Sequence, residues 1–168
     1  ETEKLVKSLK NNNNIYLVPA FTGLGAPHWD ANARGVLTGI TRDTSPKEIV
    51  RATIEAVAYQ TYDLFEAMKH DGLRPKIVKV DGGMVMNNWF SQFLSDIVNV
   101  KVLRPKVQET TAVGAAFMAG LQIGVYKSLK NISKIWHLDK KFSPSMRNKS
   151  RNHLLKGWSS AIKKTLTN

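Results

Sequence analysis

The stretch KIVKVDGGMVMNNWFSQFLSDI, residues 76–97, contains the transition on which the fold turns. Lys76–Val80 reads as a strand of apolar, β-branched character. Asp81-Gly82-Gly83 stops it. A helix then begins at Asn88 and runs to Val98, with Trp89, Phe90, Phe93, Leu94 and Ile97 at helical spacing toward a core. Glycines at such a corner permit unusual φ and let a ligand touch the backbone, and the new helix opens with unpaired N–H groups. In open α/β sheets ligands sit outside the carboxyl ends of the strands. The Asn87 and Asn88 amides can cap the helix or bond a ligand edge. The spacing suits a nucleotide, with Gly83 against a flat base or sugar and Asn87 reaching a polar group one turn on. A plain turn followed by an Asn-capped helix explains the same residues, and taken alone they leave both readings open. No Gly-Lys-Ser/Thr follows and the spacing is not G-x-G-x-x-G, so neither of those phosphate motifs is present.

Working outward, the rest of the chain alternates in the same way. Ile15–Val18 is a short apolar strand ended by Pro19, and Val36–Ile40 is another. Between them, Ala20–Gly35 has Gly, Pro and aromatics without a period. It reads as a long ordered loop, either functional or structural and pinned by Phe21 and Trp29. Thr44 or Ser45 caps a helix with Pro46 in its first turn, and Glu48 completes a capping box. This helix extends to about His70, with Gly72 beyond it. Val50, Ile54, Val57, Leu64, Phe65 and Met68 form its stripe, which Ala52, Ala56, Ala58 and Tyr59 extend nearly all round. Lys101–Leu103 is a strand, and Thr110–Ile123 a helix whose Gly114, Ala115, Ala116 and Gly120 allow close approach of another backbone. From Ser128 the tail reads as helical, anchored by Ile132, Ile135, Trp136, Leu154, Leu155, Trp158 and Ile162. The order predicts an α/β domain with helices packed on a sheet.

With 168 residues, 42% of them hydrophobic, the chain has enough for one domain with a real core. No apolar run approaches about 18 residues, so no membrane helix is expected. The N-terminus, ETEKLVKSLK, has no apolar run of the signal-peptide kind and no Met, as expected of a chain either processed or cut from something longer. The absence of cysteine excludes disulfides and thiolate metal sites and fits a reducing compartment. The net charge of +12 is unevenly placed. Residues 1–126 hold 14 Lys and Arg against 12 acids, whereas residues 127–168 hold 11 against one, Asp139. The excess belongs to the tail. A solvated basic helix face accounts for it better than nucleic-acid binding, since no aromatic interleaving or reading motif accompanies the charge.

Other constellations are thin. His28 and Asp30 lie two apart without a third ligand nearby, and His70, His137 and His153 are scattered, so no metal site is expected. Asp43 and Glu48 flank a helix start and read as capping and dipole partners. Ser143 and Ser145 have no His/Asp arrangement around them. Asn131 and Asn148 match glycosylation acceptors, which means little without an export signal.

Four segments carry a resemblance: IYLVPAFTGLGAPHWDANARGVLTGITR (15–42), IVRATIEAVAYQTYD (49–63), VDGGMVMNNWFSQFLSDI (80–97) and ETTAVGAAFMAGL (109–121). They resemble the C-terminal part of the FGGY carbohydrate kinases. One family signature fits throughout: Gly35, Leu37, Gly39 and Ile40, seven residues, Glu48-Ile49, then Ala52-Thr53-Ile54-Glu55. The likeness is dense from Ile15 to Gly124 and thins to Phe142-Ser-Pro144 and Gly157-Trp158. Within the family, PAFTGLGAP followed by Trp-Asp, and DGG with Asn-Asn, are more similar to glycerol kinases than to xylulokinases.

The resemblance implies a ribonuclease-H-like (actin/hexokinase-like ATPase) α/β C-terminal domain lacking its first strands. Residues 1–14 would be a polar lead-in, 15–126 the nucleotide-binding core, and 127–168 a basic helical tail packed on it. It implies that Gly83 and Asn87 contact an adenine nucleotide, that Gly82 allows the tight turn, and that Asn88 is a lesser neighbour. No catalytic residue is expected in this chain, because the family's Asp base and its N-terminal domain have no counterpart here. The implied cofactors are ATP and Mg2+, and the implied partners are glycerol and the missing N-terminal domain. The implied setting is a cytoplasmic homo-oligomer, with this chain inactive alone. Another FGGY sugar or polyol kinase, or a basic interaction module, is the alternative. The tail departs from the family: SPSMRNKSRNH is basic where some bacterial relatives carry acids.

Overall fold

The computed structural model describes residues 2–167. Its elements are α1 (Thr2–Lys7), β1 (Tyr16–Val18), β2 (Val36–Thr38), α2 (Pro46–His70), β3 (Ile77–Lys79), α3 (Asn88–Val98), β4 (Lys101–Pro105), α4 (Thr110–Gln122), α5 (Leu129–Ser133), β5 (Leu138–Phe142) and α6 (Asn148–Thr165). A 3-10 turn, Gly83–Met86, stands between β3 and α3. β1 and β2 pair antiparallel with Leu17 opposite Leu37. In the second sheet β4 is central, parallel to β3 with Val78 opposite Val102, and antiparallel to β5 with Val102 opposite Phe142.

Local chemistry explains the helix starts. The Ser45 side chain accepts the Lys47 N–H at 3.3 Å, and the Glu48 carboxylate accepts the Ser45 N–H at 3.0 Å. Pro46 fills a position whose N–H would have had no partner. At the far end Gly72 turns the chain at φ +85° and the Leu73 N–H reaches back to the Met68 carbonyl at 2.8 Å. α3 is capped by the Asn87 side chain, which accepts the Phe90 N–H at 3.0 Å, and ends on Asn99 at φ 56°.

The core is aromatic at its centre. Tyr59 of α2 stacks on Trp158 of α6 at 5.2 Å, meets Phe93 of α3 edge-on at 5.6 Å, and lies 5.8 Å from Tyr16 of β1. Such pairs add to their area burial. Inside the first half of α2, Glu55 is fully buried. It accepts from Arg51 Nε at 2.7 Å, Tyr59 Oη at 3.0 Å and Asn12 Nδ2 at 3.2 Å. Desolvation pushes the Glu55 carboxyl and the Tyr59 hydroxyl above their ordinary values, with Arg51 opposing it in both.

Several expectations need correction. Residues 1–14 are more than a polar lead-in: Thr2–Lys7 form α1, whose Val6 is buried in the core. The tail is not helical throughout: residues 138–142 form β5, the third strand of the second sheet. Its LDKKF lacks apolar alternation because only Phe142 is buried, so the free edge of β4 selects the strand. Of the tail anchors, Trp158 and Ile162 are buried, but Ile135 is exposed. The 20–35 loop is not pinned by Phe21 and Trp29, which are 76% and 78% exposed. Asp30 pins it instead, accepting the Asn32 and Ala33 N–H groups at 3.0 Å and the Thr167 N–H at 2.8 Å. On α2 the apolar stripe stops short, since Leu64 and Met68 lie exposed. Finally, among the described residues no backbone meets α4 at Gly114, where nothing lies within 4 Å of a Cβ position. The space over Gly120 is filled by the Tyr126 ring, which also meets Phe117 edge-on at 5.5 Å. Among the described residues no helix is long and apolar enough to cross a membrane.

Candidate functional site

The corner after β3 is held from three sides. The Val80 N–H donates to the Leu103 carbonyl at 3.1 Å, and the Gly82 N–H to the Gln108 carbonyl at 3.2 Å. Asp81 Oδ2 accepts a hydrogen bond from the Thr110 hydroxyl, fastening the corner to the start of α4. Arg104 of β4 then clamps the 3-10 turn, donating through Nη1 to the Val85 carbonyl at 2.8 Å and the Met86 carbonyl at 3.3 Å. Its Nε pairs with Asp139 of β5 at 2.7 Å. Ser91 Oγ donates to the same Val85 carbonyl at 2.9 Å. A turn fixed this way presents its outer face without having to be ordered by a ligand.

Gly82 has φ +85°, a conformation that costs other L-residues on the order of 1 kcal/mol or more. Beyond the adjoining residues, no heavy atom of the described residues lies within 4 Å of where a Cβ would stand on Gly82 or Gly83. The backbone there is open to a flat group. Beside it lies a cleft of 620 Å³ whose walls include Gly83, Asn87, Met84 and Met86, with Val50, Thr53 and Ile54 of α2 opposite. Thr2 and Glu3 of α1 close one end. The lining is apolar with a few directed polar groups, the usual make-up of a small-molecule site.

Asn87 has a divided role. Its Oδ1 is committed to the Phe90 N–H, which fixes the amide orientation. Nδ2 therefore points away from the cap with both donors, and it makes no hydrogen bond among the described residues. Asn88 faces elsewhere. Its N–H donates to Glu3 Oε2 at 3.2 Å, and its Oδ1 accepts from Lys140 Nζ at 3.3 Å. Hydrogen bonding to Lys7 holds the Glu3 carboxyl below its usual value. Of the four residues singled out in the sequence, Gly83 and Asn87 line the cleft, Gly82 shapes its corner, and Asn88 does not line it.

Sequence reasoning missed Glu3, Val50, Thr53 and both methionines. Thr53 and Ile54 fall in the family signature, but nothing local marks Glu3, which comes from 80 residues away. His28 is spoken for, lying 3.1 Å from Asp63, which also accepts from Trp158 Nε1 at 2.8 Å. Among the described residues no group of three His, Cys, Asp or Glu is placed to hold a metal. The arrangement can hold a ligand, and the carboxylate in its lining, Glu3, is bonded to Lys7 and to the Asn88 N–H. A slightly larger hollow, 660 Å³, lies against α3 and includes none of the four residues.

The C-terminal domain pattern of the FGGY family of carbohydrate kinases matches residues 2–123. Over 164 residues the chain is 52% identical to glycerol kinase 1 of Pseudomonas aeruginosa, covering 98% of this chain and 33% of that protein. It is 50% identical over 165 residues to the glycerol kinase of Rhodospirillum centenum, again 98% of this chain and 33% of the relative. The chain thus spans about a third of the length of the curated relatives it matches. Among solved structures, Plasmodium falciparum glycerol kinase with ADP matches with a TM-score of 0.85 at 34% identity, over 99% of this chain and 34% of that one. The xylulose kinase of Rhodospirillum rubrum matches at 0.78 with 19% identity, over 97% of this chain and 33% of that one, a likeness of fold alone. The α/β fold expected from the sequence, that of an actin/hexokinase-like ATPase C-terminal domain, is the one these neighbours share.

Proposed function

The chain belongs to the FGGY family of carbohydrate kinases, and on that premise we propose that it forms one wall of the nucleotide cleft of a glycerol kinase. The reaction is ATP plus glycerol to ADP plus glycerol 3-phosphate. The observation that carries this reading is the open Gly82–Gly83 backbone beside the unspent Asn87 amide, in a chain about half identical to glycerol kinases. Gly83 lies under the adenine nucleotide, Asn87 Nδ2 donates to it, and Gly82 makes the turn; Asn88 supports α1 rather than the ligand. In the whole enzyme a terminal glycerol hydroxyl attacks the γ-phosphorus, the bond to the ADP oxygen breaks, and the hydroxyl proton passes to an Asp outside this chain. Positioning and exclusion of water by domain closure do most of the work. Mg2+ enters as part of the MgATP substrate, held by phosphate oxygens and water, which suits a cleft without a carboxylate cage. The same proposal includes the remaining kinase domain as partner, a cytoplasmic setting and a homo-oligomeric whole enzyme. Relatives that are glycerol kinases at about 50% identity favour glycerol over xylulose, whose kinases match this chain at 19–26%.

The test is a titration of MgATP into isotope-labelled chain, followed by NMR. Shifts centred on Gly82, Gly83 and Asn87 are expected. Asn87→Ser keeps an acceptor for the Phe90 N–H and so keeps the helix cap, but it loses the amide, and affinity is expected to fall about fivefold. Shifts confined to the Lys and Arg residues of the tail, or equal affinity in Asn87→Ser, would refute the assignment. The 168 residues alone are expected not to phosphorylate glycerol.

A further inference from the structure

The second sheet reaches the wall of the cleft through one side chain. Arg104 stands on the central strand β4 and is 6% exposed. A guanidinium so far from water needs its donors paired and its charge opposed. Nη1 is spent on the Val85 and Met86 carbonyls of the 3-10 turn, and Nε on Asp139 Oδ2 at 2.7 Å. The Phe142 ring lies 5.6 Å from the guanidinium carbon. Asp139 is the acid that pairs with Arg104, and it is the only acid of residues 127–168.

The strand ladder supplies a second observation. Arg104 pairs with Lys140, but Pro105 pairs with Leu138, so the register shifts and Asp139 has no partner in the ladder. In a regular strand successive side chains face opposite sides of the sheet. Lys140 shares the face of Arg104, and its Nζ reaches Asn88 Oδ1 there. Its neighbour Asp139 would face the other side. The extra residue turns it back, and its carboxylate meets Arg104 Nε. Bulges re-aim side chains in this way and recur beside functional sites.

We propose that Asp139 is a positioning residue for the nucleotide site. It is not among the residues that line the cleft. It acts through Arg104, which holds the Val85 and Met86 carbonyls, and the turn so held sets Gly83 and Asn87 against the ligand. The inference rests on the nucleotide reading of the cleft. Without the carboxylate, Arg104 keeps a buried charge with no opposing one. The route to water lies where Asp139 stands, since the Asp139 side chain is 39% exposed. A guanidinium drawn that way releases the turn, which must then be ordered each time a ligand binds, and affinity falls by that cost.

The test is a titration of MgATP into isotope-labelled chain at constant ionic strength, with affinity read from the Gly83 and Asn87 amides. Asp139→Ala is expected to weaken binding about fivefold. Asp139→Asn keeps the shape and an acceptor, so it is expected to fold and to lose affinity in the same direction. Asp139→Glu restores the charge and is expected to recover the affinity. Lys141→Ala, at an exposed position of the same strand opposite Leu103, is expected to change nothing. Amide hydrogen exchange without nucleotide gives an independent reading. The Asn87 N–H, bonded to the Met84 carbonyl at 3.1 Å, is expected to exchange faster in Asp139→Ala and at the parent rate in Asp139→Glu. Equal losses in Asp139→Ala, Asp139→Glu and Lys141→Ala would mean general damage to β5 and overturn the proposal. A parent chain that binds at Gly83 and Asn87, with Asp139→Ala and Asp139→Asn binding equally well, would overturn this role alone. A parent whose Gly83 and Asn87 do not respond to MgATP would overturn the nucleotide reading, and this role with it.

Discussion

Gly157 sits in the interior of α6, where replacing glycine with alanine ordinarily stabilises a helix by about 1 kcal/mol. The structure predicts the opposite sign here. A Cβ on Gly157 would stand 2.6 Å from Cε2 of Tyr16, and closer still to Cζ and Oη. Tyr16 is 4% exposed and its ring is boxed in by Tyr59, which itself stacks on Trp158, the residue next to Gly157. The ring cannot swing aside without disturbing the aromatic centre. Overpacking of this kind costs about 1–3 kcal/mol, and the lack of a yielding neighbour places this site at the upper end. Subtracting the helix gain leaves Gly157→Ala about 2 kcal/mol less stable. Gly114→Ala on α4, where nothing lies within 4 Å of the new Cβ, isolates the propensity term and is expected not to destabilise. Urea unfolding followed by both circular dichroism and tryptophan fluorescence measures the difference, with the m-value checking that the unfolded states match. Tyr16→Phe adds a cross-check. The hydroxyl is buried without a partner, since the neighbouring Asn12 amide is spent on the Ile15 carbonyl and Glu55. Its removal is expected to be close to neutral alone and to recover only part of the loss in the double variant, because Cζ and Cε2 remain. A Gly157→Ala protein as stable as the parent would refute the packing argument.

Two further predictions concern charge. The Ser45 hydroxyl and then the backbone N–H groups that bond Glu48 hold its carboxyl below the usual value. A depressed folded pKa means stability that is present above the unfolded value and is lost as pH falls through the folded one. Melting temperature is therefore expected to decline below about pH 5, and less steeply in Glu48→Gln; identical slopes in the two proteins would argue against the capping box as a contributor. Arg51→Met leaves Glu55 buried without its counter-charge, at a cost of about 3 kcal/mol or more. Because burial raises the Glu55 pKa, the folded state then holds the proton more tightly than the unfolded one, and stability falls as pH rises. Chemical denaturation is expected to show a larger loss at about pH 8 than at about pH 5, and an equal loss at both would remove the electrostatic explanation.

What could be read locally was read correctly where the signal is local. Ser45, Pro46 and Glu48 mark the start of α2 because a cap satisfies N–H groups within one turn of itself. Gly72 marks its end because few other residues take φ +85°. Asn87 and Gly83 stood out for the same reason: a cap and a turn are properties of a few consecutive residues. The exposed faces of Phe21 and Trp29 were not legible, since an aromatic residue in a loop carries no mark of which way it turns.

The sequence by itself determined the α/β alternation from Ile15 to Ile123, the ends of α2 and α3, the family and two of the cleft residues. Tertiary structure alone decided that β5 joins the second sheet, because a strand as polar as Asp139-Lys140-Lys141 is selected by the hydrogen-bonding edge of β4 and not by its own side chains. It alone decided that Glu3 and Val50 share a cleft with Gly83, and that Arg51, Trp89 and His153 share a hollow. Contacts between residues so far apart in the chain depend on how the helices pack, and packing is a property of the whole core.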